Sequence, residues 1–276
     1  MPVPPIVLDS VTTFLALADS ELPVSIEGLY LEGSVALDDF QPDASDIDFV
    51  AVTSRPLDAE ATAALAAIHT RLRQLRKRPF FDGIYLTWGD LAAGADAAVC
   101  GPVSLEGVLR VNAAAGKGNP VTWQTLADHG VVLRGPAIGD FDLRTDPAVL
   151  AARQNANLDE YWAAGLDRAD RLFSARGAGL LADYGTVWTV TGIARLHHTI
   201  ATGGITSKSG AAEYITRAFP DRWHRVAAEA LRLRRGNSAR SLYRNRPARR
   251  RDVLEFGRMA VADAHRIYAE LSADSG

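Results

Sequence analysis

Residues 28–52, GLYLEGSVALDDFQPDASDIDFVAV, decide the fold. Gly28 to Leu31 predict a short apolar strand that runs into Gly33-Ser34, and a polar loop rich in Asp, Pro and Ser follows. Asp46-Ile47-Asp48-Phe49-Val50-Ala51-Val52 predicts a second strand. Strand side chains alternate, so Asp46 and Asp48 share one face while Ile47 and Phe49 share the other. Two carboxylates about 7 Å apart along a strand repel each other unless a cation lies between them. Oxygen-only ligands with phosphate nearby suit Mg²⁺, which keeps waters and takes its remaining ligands from the substrate. Gly33 carries no side chain, so its backbone and the Ser34 hydroxyl could approach a phosphate. A lone Asp-x-Asp is an ordinary solvated pair, and a lone Gly-Ser an ordinary turn. The joint pattern is more specific: strand, Gly-Ser, ten residues of loop, then Ser-Asp-x-Asp opening an apolar strand.

That pattern resembles the signature of the polymerase-β-like nucleotidyltransferase superfamily. The resemblance implies that Gly33 and Ser34 hold a triphosphate and that Asp46 and Asp48 hold metals. Composition agrees with a protein of that size. A chain of 276 residues accommodates two domains, and a net charge of −3 gives no electrostatic case for a nucleic-acid partner. Cys100 is the only cysteine, which excludes an internal disulfide and a thiolate metal cluster. No apolar run approaches the roughly 18–20 residues that span a bilayer. The opening MPVPPIVLDS lacks the basic region of a signal peptide, so a cytoplasmic location is expected.

Taken in order, residues 9–20 predict a first helix with Val11, Phe14, Leu15 and Leu17 on its apolar side. Asp58 to Arg78 predicts a second, with Leu65, Ile68, Leu72 and Leu75 at helical spacing and Arg76-Lys77-Arg78 in a last turn favoured by the helix dipole. Phe80 to Thr87 predicts a strand laid beside the 46–52 strand, which makes Asp82 the third member of a carboxylate triad. Residues 103–111 alternate like one further strand, with Glu106 on a solvent face. Gly116-Lys117-Gly118 lies in a glycine-rich loop without the P-loop spacing. Pro120 to His129 predicts a short helix, and Val131 to Leu133 a short strand. The domain boundary is placed at 145, giving domains 1–145 and 146–276.

From Asp146 the pattern is helical, with helices expected over 147–175, 183–202, 208–218, 221–235 and 249–273 in an up-and-down bundle. The arginines of 217–258 read as a solvated surface. Gly203-Gly204 end one helix, and Ser207 or Ser209 caps the next, which puts Lys208 at a helix N-terminus. The dipole disfavours a cation there unless an anion is shared with the free amides. Lys208 is one of only three lysines against 27 arginines. Arg195 precedes it by thirteen residues, and Trp188 lies seven before Arg195 on the same helix.

The segment Ala194 to Lys208, A-R-L-x-x-T-I-A-T-G-G-I-x-x-K, is similar to the C-terminal domain of the bacterial aminoglycoside adenylyltransferases of the streptomycin/spectinomycin 3''/9 kind. The resemblance implies an α+β fold: a polymerase-β-like domain, a mixed sheet with flanking helices, followed by an all-α bundle that completes the nucleotide and substrate cleft. It implies that Asp46, Asp48 and Asp82 bind Mg²⁺, two ions in the expected arrangement. Gly33, Ser34, Arg195 and Lys208 would hold ATP, and Asp82 would be the catalytic base. AMP would pass to a hydroxyl of a small, cationic acceptor of aminoglycoside type, in a monomeric enzyme without membrane or nucleic-acid partners. Asp183, Tyr184 and Trp188 are the candidate acceptor contacts. Three departures from the family stand out: Asp82 replaces a Glu, Gly185 replaces an acidic residue ten before Arg195, and Arg234 replaces a tyrosine near the nucleotide base. Other acceptors under the same chemistry, or a silent nucleotide-binding module, remain open at this point.

Overall fold

The computed structural model describes residues 2–95, 101–111, 119–171, 174–236 and 240–274. Cys100 and Gly116-Lys117-Gly118 lie outside the described residues. The chain divides into two compact units, Met1–Asp146 and Pro147–Gly276.

The first unit opens with helix α1, Pro5–Glu21, which starts before the expected Asp9 because a proline in the first turn costs no hydrogen bond. Val7, Val11, Phe14 and Ala18 form its buried stripe. Strand β1 (Ile26–Leu31), a single helical turn α2 (Gly33–Ala36) and strand β2 (Ile47–Thr53) follow, so the Gly-Ser motif begins a turn of helix and not only a loop. Helix α3, Ala59–Leu75, is capped by Asp58, whose carboxylate accepts from the Ala61 amide at 2.9 Å. Leu65 and Ile68 are buried, but Leu75 is 70% exposed.

The helix also stops before Arg76-Lys77-Arg78, since Arg76 is already extended. The dipole reading of that cluster therefore fails. Arg76 instead bonds Asp9, and Arg78 bonds Asp46.

Strand β3 (Phe81–Thr87) leads into α4 (Trp88–Ala93), which carries a capping box between Thr87 and Asp90. The single strand expected over 103–111 is in fact a hairpin, β4 (Val103–Leu105) and β5 (Val108–Arg110). Glu106 and Gly107 both have positive φ, 54° and 66°, as the tight primed turn between antiparallel strands requires. Helix α5 (Pro120–His129) and strand β6 (Val131–Arg134) complete the unit. The sheet order is β5-β4-β3-β2-β1-β6, with β2 and β3 parallel and the other pairs antiparallel.

Alternation splits the sheet between two cores. Leu29, Leu31, Ile47, Phe49 and Ala51 pack with Phe14, Leu65 and Ile68, while Tyr30, Val50, Val52, Ile84 and Leu86 pack with Leu91, Trp123 and Leu126.

The second unit is helical. The helix expected over 147–175 runs as α6 (Pro147–Asn157), a π-helical segment (Leu158–Ala163) and α7 (Ala164–Asp170), and it ends at Asp170 because Arg171 turns extended. Then come α8 (Ala175–Gly179), α9 (Asp183–Thr202), α10 (Lys208–Ala218), a 3-10 turn at Asp221–Trp223, α11 (His224–Arg234) and α12 (Arg246–Asp274). Helix α9 is the centre of the unit and packs on α6, α10, α11 and α12. Its Val190, Ile193 and Ala194 share a core with Trp162, Phe219, Trp223 and Phe256. No described helix is long and apolar enough to cross a membrane.

Candidate active site

Asp46 stands immediately before β2, Asp48 lies within it, and the parallel register sets Asp48 directly beside Asp82 of β3. In-register neighbours on adjacent strands point to the same side. The three carboxylates therefore occupy one face of the sheet, at the end of the β2–β3 pair where Val50, Val52 and Ile84 begin the buried core. All three side chains are half-buried.

Gly33 has φ +58°, and a Cβ there would overlap the Asp48 carboxylate. Only glycine lets the chain bring that carboxylate against the backbone of 33–34. The neighbouring Ser34 hydroxyl is buried with no hydrogen-bond partner in the protein, a costly arrangement that an oxygen ligand would relieve. Oxygen-only donors and this glycine cradle suit Mg²⁺ and a phosphate.

The carboxylates do not gather into a single cluster. Among the described residues no group of three or more His, Cys, Asp or Glu side chains is disposed to hold a metal ion. Asp46 is paired with Arg78 at 3.1 Å, and the Arg78 guanidinium lies 4.2 Å over the Phe80 ring. Asp82 is turned to the β4–β5 hairpin, where it accepts from the Glu106 amide at 2.8 Å and the Gly107 amide at 2.7 Å. Burial raises the Asp82 pKa above the usual carboxylate range, the two amides hold it back, and the negative charge of Asp46 pushes it further up. The expected triad thus shares a face, while Asp82 and Asp46 each have other partners.

Behind Asp82 runs a buried polar chain. Ser104 Oγ donates to the Phe81 carbonyl at 2.8 Å and lies 3.2 Å from His69 Nδ1, and His69 Nε2 meets the Tyr85 hydroxyl at 2.7 Å. Burial drives the His69 pKa down to about 4, so the ring is neutral near pH 7. Sequence reasoning missed Arg78, Ser104 and the Glu106–Gly107 amides. Two signals were present: Pro79 closing off a basic triplet, and Glu-Gly in the middle of an alternating run. Glu106 is exposed as expected, and its amide rather than its carboxylate reaches the site.

In the second unit, Arg195 on α9 donates through Nε to the Thr206 carbonyl at 3.1 Å, which ties it to the segment carrying Lys208. Ser207 caps α10 by accepting from the Gly210 amide at 3.0 Å, so Lys208 opens the helix. The Lys208 ammonium lies 5.5 Å from the centre of the Trp188 ring. Tyr184 stacks on Trp188 with centroids 5.8 Å apart.

Asp183 is committed to Arg249 at 2.7 Å. A Cβ at Gly185 would overlap the Gly179 carbonyl, so the close packing of α8 on α9 excludes the acidic residue seen in the family pattern. Arg234 is only 6% exposed and is a buried residue of the bundle.

The sheet with its Gly-Ser and Asp-x-Asp pair defines the class: a nucleotidyltransferase domain, whose family model matches residues 15–80. A second family model, the aminoglycoside adenylyltransferase C-terminal domain, matches residues 159–260. Over those two stretches the chain is similar to nucleotidyltransferase domains and to the C-terminal domain of aminoglycoside adenylyltransferases. Its fold is similar to that of the spectinomycin adenyltransferase AAD(9) from Enterococcus faecialis, whose crystal structure was solved with ATP and spectinomycin. The TM-score is 0.58 at 12% identity, over 92% of this chain and 98% of that one. No curated protein matches the chain in sequence.

Proposed function

We propose that the protein is a Mg²⁺-dependent adenylyltransferase that moves AMP from ATP to a hydroxyl of a small molecule. The acceptor oxygen forms a bond to the α-phosphorus, the bridging bond to the β-phosphate breaks, and pyrophosphate leaves. One observation carries the reading: the in-register Asp48–Asp82 pair, with Asp46 on the same face, stands beside a glycine cradle and a buried serine hydroxyl that lacks a protein partner.

In this reading Asp46, released from Arg78, and Asp48 hold Mg²⁺. The bound ion supplies positive charge to the phosphate oxygens. Ser34 donates its hydroxyl to a phosphate oxygen. Asp82 accepts the proton of the attacking hydroxyl, and its raised pKa makes it a stronger base than an ordinary carboxylate. The Glu106 and Gly107 amides fix its direction. Arg195 and Lys208 of the helical unit neutralise the charge that builds on the leaving pyrophosphate. The triphosphate is also the anion that a lysine at a helix N-terminus calls for.

The family match favours an acceptor of aminoglycoside type. A second reading keeps the chemistry and changes the acceptor. It is favoured by the packing that excludes an acid at 185 and by the commitment of Asp183 to Arg249.

Pyrophosphate release from ATP and Mg²⁺, assayed with a panel of hydroxylated acceptors, tests the proposal. We expect Asp46→Ala to lower the rate roughly a hundredfold or more, the scale of removing one electrostatic group from a reacting site. Equal release with and without the substitution would exclude the reading.

A further inference from the structure

The helical unit contains an open pocket of about 310 Å³, lined by residues of that unit alone. That is the size at which small-molecule sites begin. Its walls are aromatic. Tyr161 and Trp162 come from the π-helical segment, Tyr184 and Trp188 from α9, with Leu166 of α7 behind them and Arg176 of α8 at one side.

Three independent features mark it as a binding site. First, Tyr184, Tyr161 and Trp188 are 71%, 38% and 37% exposed, an aromatic patch that a folded protein ordinarily covers. Second, the widened π-turn sits where Tyr161 and Trp162 enter the wall, and such turns occur preferentially at functional positions. Third, the rings are held to one another: Trp162 lies 6.1 Å from Trp188, and the Trp188 indole N–H donates to the Tyr161 hydroxyl at 3.3 Å.

The charge of the wall sets the class of ligand. Aromatic walls attract cations, and a polycation also needs carboxylates nearby. None of the described lining residues is Asp or Glu, and the one charged residue is Arg176. The ring faces that would draw a cation already carry one. Arg176 lies 4.9 Å over Tyr161, and Lys208 lies 5.5 Å over Trp188.

We infer that this pocket takes a flat, apolar ring that is neutral or anionic, and that the acceptor is a hydroxylated aromatic compound in place of a polycationic sugar. The second half of the inference rests on the adenylyl-transfer reading above; the first half does not. Lys208, the proposed triphosphate contact, borders the same Trp188 ring.

Isothermal titration of the full chain, without ATP or Mg²⁺, tests the pocket directly. The probes are 6-hydroxy-2-naphthoate, a planar anionic phenol, and streptomycin, a polycation. We expect the naphthoate to bind and to bind at least about tenfold more tightly than streptomycin. Arg176→Glu should weaken the naphthoate by about tenfold or more, the scale of one lost charge contact, and narrow the gap to streptomycin. Trp188→Ala should abolish the preference. Arg176→Gln, with unchanged thermal unfolding, serves where the charge reversal disturbs folding.

Tighter binding of streptomycin to the unaltered chain, no binding of the naphthoate, or naphthoate binding indifferent to both sites would overturn the inference. Pyrophosphate release, measured separately with each probe as acceptor, keeps the two readings apart. Naphthoate binding without release leaves the pocket and removes the transfer reading. Release with streptomycin and no naphthoate binding does the reverse.

Discussion

His69 is the residue whose environment makes the sharpest thermodynamic statement. It is 1% exposed, hydrogen-bonded to Tyr85 and Ser104, and burial lowers its pKa from 6.5 to about 4. Between those two values the unfolded chain binds a proton that the folded chain refuses. Stability from this group is therefore fully present above pH 6.5 and is lost as pH falls toward 4. At 1.36 kcal/mol for each pKa unit the effect is about 3 kcal/mol. We expect the difference in unfolding free energy between wild type and His69→Gln to shrink across that window, because glutamine keeps both hydrogen bonds and does not titrate. Denaturant melts at pH 7, 5.5 and 4.5 measure it, and a constant difference would remove the buried neutral histidine from the account. The consequence reaches the candidate site, since Ser104 connects His69 to the strand end that carries Asp82.

At the scale of elements, the β4–β5 hairpin does what the single strand read from the sequence could not. Its turn presents two amides to Asp82, and both turn residues have positive φ. Gly107→Val forces a branched side chain into that conformation and against Arg73, so we expect a loss of roughly 1–3 kcal/mol in stability. Transfer activity should fall with it as Asp82 loses its cradle. Thermal unfolding and pyrophosphate release read the two effects, and unchanged values in both would show that the turn is not needed.

This hairpin also shows why legibility stopped where it did. Strand alternation alone located Asp46 and Asp48, because a half-buried strand has a fixed period. Placing Asp82 beside them required only that β3 follow one crossover helix. The turn at 106–107 was hidden because Val103 to Val111 alternates on both sides of it, and periodicity is blind to a reversal that keeps the phase. Arg78 was hidden for the opposite reason: its partner Asp46 lies 32 residues away, and local dipole logic claimed it first. The aromatic pocket depends on a π-turn inside an otherwise ordinary helical pattern, for which the residue spacing carries no signal.

On the scale of the whole molecule, the two units have separate cores. Phe14, Phe49 and Trp123 belong to clusters confined to the first, and Trp162, Phe219, Trp223 and Phe256 to a cluster confined to the second. Residues 144–148, where one unit gives way to the next, are exposed. A unit with its own core and an exposed boundary is expected to fold alone. The pocket between Tyr161 and Trp188 is built from residues of the second unit only, so it should survive separation, while the carboxylates cannot. We therefore expect a fragment spanning 147–276 to unfold cooperatively with a helical circular-dichroism spectrum and to bind 6-hydroxy-2-naphthoate within about threefold of the full chain, a difference of under roughly 1 kcal/mol. The same fragment should release no pyrophosphate from ATP. A fragment that melts without cooperativity would show that the second core depends on the first. A well-folded fragment that fails to bind would place part of the ligand site outside the helices.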